Sequence, residues 1–170
     1  MKWIGALLFI AAATWIGFEW SQTLNKRPKH IRQLKNALQT LEAEILYSQL
    51  PLKDAFATIA RQIPEPVQSF FQNLAQGLEK DNGDLESLWK KEVDLLIKDS
   101  AFGTNEGEIL LQFGQTLGQH DFLQQQKHIQ LTIYHLEREL EEARDNQFRY
   151  EKMAKSLGIL GGLFIVLLLI

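Results

Sequence analysis

The sequence predicts an all-α fold: a bundle of about six helices flanked by an N-terminal and a C-terminal transmembrane helix. Three observations carry this. Apolar residues recur at spacings of three and four through the polar middle of the chain, the period of one helical face. Proline, glycine and an Asp-Asn-Gly turn cut that middle into pieces of helical length, and no alternating strand pattern interrupts it. Residues 3–18 and 157–170 are apolar or small throughout.

The first segment, 1–20, reads as an N-terminal transmembrane anchor. Its apolar run would be ~24 Å long as a helix, against ~30 Å of hydrocarbon. A cleaved signal peptide fits less well, because the apolar run continues past Ala11–Ala13 through Trp15, Ile16 and Phe18. Trp20 suits an interface position. Residues 154–170 read as a C-terminal transmembrane anchor that is equally short. Basic residues follow the first segment (Lys26, Arg27, Lys29, Arg32, Lys35) and precede the second (Arg149, Lys152, Lys155). Both signals place residues 26–153 on the cytoplasmic side.

Within 26–153 the first helix is expected over about 28–48, with Pro28 in its first turn. Its apolar positions are Ile31, Leu34, Leu38, Leu41, Ile45 and Leu46. Pro51 starts a second helix over about 51–62, with Leu52, Ala55, Phe56, Ile59 and Ala60 inward. Pro64 and Pro66 end it and open a third, about 65–79, that buries Val67, Phe70, Phe71, Leu74 and Leu78. Asp84 caps a fourth helix carrying Leu85, Leu88, Trp89, Val93, Leu96 and Ile97. A linker over 100–104 leads to a fifth helix, about 105–117, which Gly118 closes. The sixth begins near His120 or Asp121 and meets no Gly or Pro until Gly158. That gives about 35 residues, ~50 Å. Its charged latter part, 137–155, reads as a solvated stalk running into the second anchor.

Composition narrows the function. Cysteine is absent, which fits a reducing compartment and excludes a thiolate metal site. The net charge of −3 gives no reason to expect nucleic acid as a partner. No phosphate-binding loop or nucleophile–histidine–acid set is readable. His128, His135 and Glu139 share a helical face, but no further ligand completes a metal site. The sequence therefore points away from an enzyme, and it implies no cofactor. Charge is uneven along the chain. Residues 79–108 carry nine acids against four lysines, a surface available to a basic partner. Asp84, Glu86 and Glu92 are the candidate docking residues there, all expected outside the core.

Three stretches add a resemblance. They are Leu41–Phe56, with Glu42, Glu44, Tyr47 and Pro51; Leu110–Asp121, followed by Gln125, Gln126, Lys127 and His128; and Tyr150–Gly162. In this order and at this chain length they closely resemble the stage III sporulation protein AB family of endospore-forming bacteria, over essentially the whole chain. The family's soluble domain is similar to the cytoplasmic domain of type II secretion and type IV pilus inner-membrane platform proteins.

The resemblance implies a non-enzymatic platform component of the channel complex between mother cell and forespore, needed for endospore formation. It implies a place in the outer forespore membrane, with most of the chain on the mother-cell side. The implied partners are a sporulation secretion-type ATPase, neighbouring membrane proteins of the same complex and the lipid bilayer. A single copy of the domain makes a homo-oligomer a further expectation. Glu42, Glu44 and Tyr47 stand out as partner-binding candidates. The competing reading is a membrane-anchored helical adaptor or receptor that dimerises through its last helix. The apolar series Ile129, Leu131, Ile133, Leu136, Leu140, Ala143 and Phe148 is too irregular for a steady coiled-coil seam and favours packing within a bundle.

Overall fold

Proline, glycine and one aspartate set the helix boundaries, largely where their backbone chemistry requires. The computed structural model describes residues 26–80, 84–118 and 122–169, with side chains in the last stretch described for 123–153 and 156. Among the described residues there are six helices: α1 over 26–46, α2 (Leu52–Gln62), α3 (Val67–Lys80), α4 (Leu85–Asp99), α5 (Thr104–Thr116) and α6 (Phe122–Leu169).

The α1 C-terminus closes on Gln49, which takes a left-handed φ of 50°. The Leu50 N–H donates back to the Glu44 carbonyl at 3.2 Å, satisfying one of the carbonyls left open at the helix end. Pro51 then opens α2, its carbonyl accepting from the N–H groups of Asp54 and Ala55. Extended Ile63 ends that helix just before Pro64, as the residue preceding a proline tends to do. Asp84 caps α4, its Oδ1 accepting from the Glu86 N–H at 3.1 Å and its Oδ2 from the Ser87 hydroxyl at 2.8 Å. These bonds hold the exposed Asp84 carboxyl below the usual range, the Ser87 hydroxyl first and the Glu86 N–H second.

The core is aromatic at its centre. Phe56, Phe70, Phe71, Trp89 and Phe113 are all buried. The Trp89 ring meets Phe70 and Phe113 edge-to-face, with centroids 5.1 and 5.5 Å apart. Its indole N–H donates to the Leu110 carbonyl on α5 at 2.7 Å. This reach depends on Gly114, where a Cβ would sit 2.2 Å from the indole ring. The α4–α5 approach is thus set by one ring lying on one glycine. At another end of the core Gly118, with φ at +80°, packs near Leu52 and Leu85. The start of α2, the start of α4 and the end of α5 therefore meet there.

The last helix has 48 residues and runs unbroken through Gly158, as a stalk continuing into the C-terminal segment as one rod requires; in two other respects it differs from expectation. Burial continues through Glu139, Leu140 and Ala143, so the solvated stretch begins beyond Ala143 rather than at 137. The seam is also more regular than the apolar residues alone suggest. Gln125, Ile129, Thr132, Leu136, Glu139 and Ala143 are all buried. They alternate by four and three, so every second member of a heptad seam is polar. Leu123, Leu131 and Phe148 are exposed.

The expectation of flanking transmembrane helices is corrected. Among the described residues no helix is long and apolar enough to cross a membrane. The apolar run at 157–170 would be ~21 Å long, and it continues a helix carrying Arg149, Glu151, Lys152 and Lys155. The membrane localisation that rested on those helices is withdrawn with them. The expected N-terminal anchor, 1–20, lies outside the described residues.

Two measurements check this packing. Gly114→Ala forces a methyl into the Trp89 ring; overpacking of this kind outweighs the helix-propensity gain and should destabilise the chain by about 1–3 kcal/mol in denaturant unfolding. A change below about 0.3 kcal/mol would mean the ring is not seated on the glycine. The second concerns His30, whose Nδ1 accepts from the Ala101 N–H at 3.2 Å while its ring lies against Phe102. Burial first, then Lys29 and Lys26, push its pKa below the ordinary 6.5. The unfolded chain therefore takes up this proton before the folded one as pH falls through 6.5. The group's contribution is complete above that value and is lost as pH drops toward the lowered native pKa. Melting temperatures from about pH 7.5 down to about 5.5 should fall in the native chain and fall less in His30→Gln.

Candidate functional site

An ionic cluster at the start of α1 joins three helices that are distant in sequence. The Arg27 guanidinium lies between two buried carboxylates, Glu106 of α5 and Glu139 of α6. Its Nε donates to Glu106 Oε1 at 2.9 Å, and its Nη2 lies 2.8 Å from that same oxygen and 3.3 Å from Glu139 Oε2. Glu106 is also the N3 residue of α5, and its Oε2 accepts from the Gly103 N–H at 2.8 Å. That is the backbone half of a capping box. Glu139 accepts from Asn105 at 3.2 Å and lies 3.5 Å from Arg138. Every buried charge here has a counter-charge and additional donors, the condition under which such burial is tolerated. Lys35 pairs with Glu137 farther along α1 and α6. The cluster is a structural clamp, and it contains no nucleophile or proton relay.

None of these residues was singled out from sequence as a pairing partner. Arg27 was read as part of a basic run, Glu106 as part of an acidic one and Glu139 as a stalk residue. Two signals were present in the sequence. Glu106 stands three residues after Gly103, the capping-box spacing, and Gln125, Thr132 and Glu139 repeat every seven residues beside Ile129, Leu136 and Ala143.

The candidate docking residues fall into three environments. Glu42 is half-buried, and its Oε1 accepts from Gln130 at 2.9 Å and Gln126 at 3.2 Å, so it ties α1 to α6. Glu44 is half-buried, and Tyr47 is 86% exposed on the turn after α1. Asp84 and Glu86 are exposed at the start of α4. Leu52 and Leu85 both pack near Gly118, which brings these two groups to the same end of the bundle. Arg27 lies at the opposite ends of α1 and α4, beside the 100–103 connection.

Glu92 does not belong with them. It is 5% exposed and faces α3, where its Oε2 accepts from Asn73 at 2.9 Å. The expectation that it lies outside the core is corrected. The reason is helical phase: Glu92 is adjacent to Val93 and three residues from Trp89 and four from Leu96, so it shares their buried arc. Nor does the acidic run form one face. Glu79 pairs with Lys53, Asp84 caps a helix, Glu92 and Glu106 are buried, and Lys90, Lys91 and Lys98 share the outer side of α4 with Asp94. Asp81 lies outside the described residues.

Glu92 forms part of the wall of a cleft between α3 and α4, with a volume of about 310 Å³. Glu139, considered with His128 and His135 for a metal, is engaged by Arg27. Among the described residues no group of three metal-binding side chains is suitably placed.

A family model described as "Stage III sporulation protein AB" matches residues 2–170. The chain is similar to "Stage III sporulation protein AB" of Bacillus subtilis (strain 168), with 42% identity over 169 residues and 99% of each chain covered. It is also similar to a solved structure of "Stage III sporulation protein AB (SpoIIIAB)", with a TM-score of 0.69 and 40% identity, over 73% of this chain and 98% of that one.

Removing the clamp's cation tests its role. Arg27→Met leaves two buried carboxylates without their shared counter-charge and should cost about 3–5 kcal/mol near neutral pH. The deficit should shrink as the pH is lowered through the range in which the stranded carboxylates take up protons. Arg27→Lys should recover only part of it, because a point charge cannot reproduce the guanidinium fork. Paired pH-dependent unfolding curves decide the matter; a deficit that does not change with pH would show that Arg27 acts by packing alone.

Proposed function

The chain belongs to the stage III sporulation protein AB family, and from that premise we propose that its bundle docks the secretion-type ATPase of the sporulation channel complex. The coarser role follows from membership: a sporulation-related, non-enzymatic protein.

One observation supports docking through the end of the bundle that carries Tyr47. Two sets of candidate residues, far apart in sequence and chosen on different grounds, meet at that end. Tyr47 is a large aromatic ring left 86% exposed, and carboxylates at Glu44, Asp84 and Glu86 surround the same end of the core. An amphipathic ring with charged neighbours is a common anchor in protein interfaces. The charges steer and orient a basic partner.

The adaptor reading has less support. Dimerisation through α6 needs a free seam, and the seam over 125–143 is buried within the chain's own bundle. The bonds from Glu42 to Gln126 and Gln130, and from Arg27 to Glu139, show α1 lying along it.

The test is co-purification of the ATPase from sporulating cells carrying Tyr47→Ala with Glu86→Lys. Asp84→Asn can be added, since asparagine keeps the helix cap while removing the charge. All three side chains are exposed, so the melting temperature should stay close to that of the native chain. ATPase recovery should fall on the order of tenfold, equivalent to about 1.4 kcal/mol. Unchanged recovery at native stability would place docking on another surface.

A further inference from the structure

The cleft between α3 and α4 is lined by a buried carboxylate, Glu92, with a single hydrogen-bond donor. Its lining mixes apolar residues, Pro66, Phe70 and Leu95, with acidic ones, Glu65, Glu92 and Asp99. No basic side chain lines it. Leu95 is 41% exposed, a large aliphatic group left at the mouth.

Glu92 is the informative residue. The three buried carboxylates of this protein are Glu92, Glu106 and Glu139, among the described residues. Glu106 has the Arg27 guanidinium and the Gly103 N–H. Glu139 has Arg27, Asn105 and Arg138. Glu92 has one hydrogen bond, from the exposed Asn73, and its Oε1 lies 4.0 Å from the solvent-exposed ammonium of Lys91. An ionised carboxylate offers about four acceptor positions, and burying it is costly when they are unfilled. Glu92 lines the cleft, so a donor entering the cleft can meet its carboxylate. Asp99 adds a second carboxylate to that lining, and it has no partner among the described residues.

We propose that this cleft seats an arginine side chain presented by a protein partner. The guanidinium would fork onto Glu92, with Asp99 alongside, and the aliphatic stem would lie on Leu95 and Pro66. The fit is one of charge and shape together. A planar cation satisfies a carboxylate with two parallel bonds, and its stem covers the exposed leucine. A lysine ammonium fills the charge without the fork. The clamp at Arg27 shows the same chemistry completed within the chain; at Glu92 the cation within the chain is an exposed lysine ammonium 4.0 Å away, which leaves room for a closer, forked one. This deepens the docking reading above and rests on it for the existence of a partner. It adds a second contact, on a different face from Tyr47.

Titration of the isotope-labelled full chain with acetyl-arginine methylamide, followed by amide NMR, tests the site without the partner. Saturable shifts are expected at Ser69, Asn73, Glu92 and Leu95. The uncharged citrulline analogue should not produce them, and the lysine analogue should be several-fold weaker. Glu92→Gln, which keeps an oxygen for Asn73, should abolish them. Asp99→Asn, on the exposed rim, should weaken them several-fold whatever happens to the core variant. Shifts scattered over surface acids such as Asp94 and Glu108, or shifts that persist in Glu92→Gln, overturn the proposal. Co-purification of the ATPase with the native chain and with Glu92→Gln separates the two readings. Recovery with the native chain but no arginine binding removes the cleft and leaves docking standing. No recovery with the native chain removes the docking reading, and the proposal that rests on it. Arginine binding with equal recovery from both chains overturns the cleft as a partner seat.

Discussion

The bundle depends on one guanidinium shared by two buried carboxylates. Arg27 ties the start of α1 to the start of α5 and the middle of α6, spanning 79 and 112 residues of sequence. Interdigitated apolar side chains limit how far one helix slides past another. A forked cation between two fixed acceptors adds a directional constraint on that register. Glu106 also caps α5 through the Gly103 N–H, so the same carboxylate sets where that helix begins. The cluster therefore settles a boundary, a register and a packing partner together. Such groups add little net stability over an apolar replacement, but losing one partner strands the others in a low-dielectric interior.

A second constraint works through shape. The Trp89 ring fills the place where a Gly114 side chain would be, and its N–H reaches the Leu110 carbonyl. The α4–α5 pair can adopt this approach because one position has no Cβ and the other has a donor at the far edge of a large ring. Phe70 and Phe113 complete the arrangement edge-on. Charge at Arg27 and shape at Trp89 therefore act on the same helix, α5, from its two halves.

This division of work leaves the rest of the surface free for partners. The end bearing Tyr47, Asp84 and Glu86 is opposite the clamp, with few constraints from it. A rigid scaffold with an adaptable exposed end suits a component that binds other proteins and performs no chemistry. Glu92 stands apart because it is buried without the donors that Glu106 and Glu139 possess. Family membership supplies the sporulation context, while the internal geometry shows which carboxylates are engaged within the bundle.

Local chemistry made much of the fold legible in the sequence. Pro51, Pro64 and Pro66, the Asp84 cap and Gly118 act on their own backbone neighbourhoods, so helix boundaries followed from them to within a few residues. The three-and-four spacing of the aromatics likewise revealed a buried face, since period and phase belong to a single helix. The three quoted stretches carried the family resemblance. The flanking transmembrane helices were inferred from short apolar runs, and no described helix is long and apolar enough to cross a membrane. The charged residues were misread for a different reason. A carboxylate's environment depends on which distant group meets it, so Glu106, Glu139 and Glu92 looked like solvated acids in a one-dimensional run. Linear sequence determined where the helices begin, end and turn their apolar faces. Tertiary structure alone decided which charges are buried and paired, because pairing is set by distances across the bundle and not by neighbours along the chain.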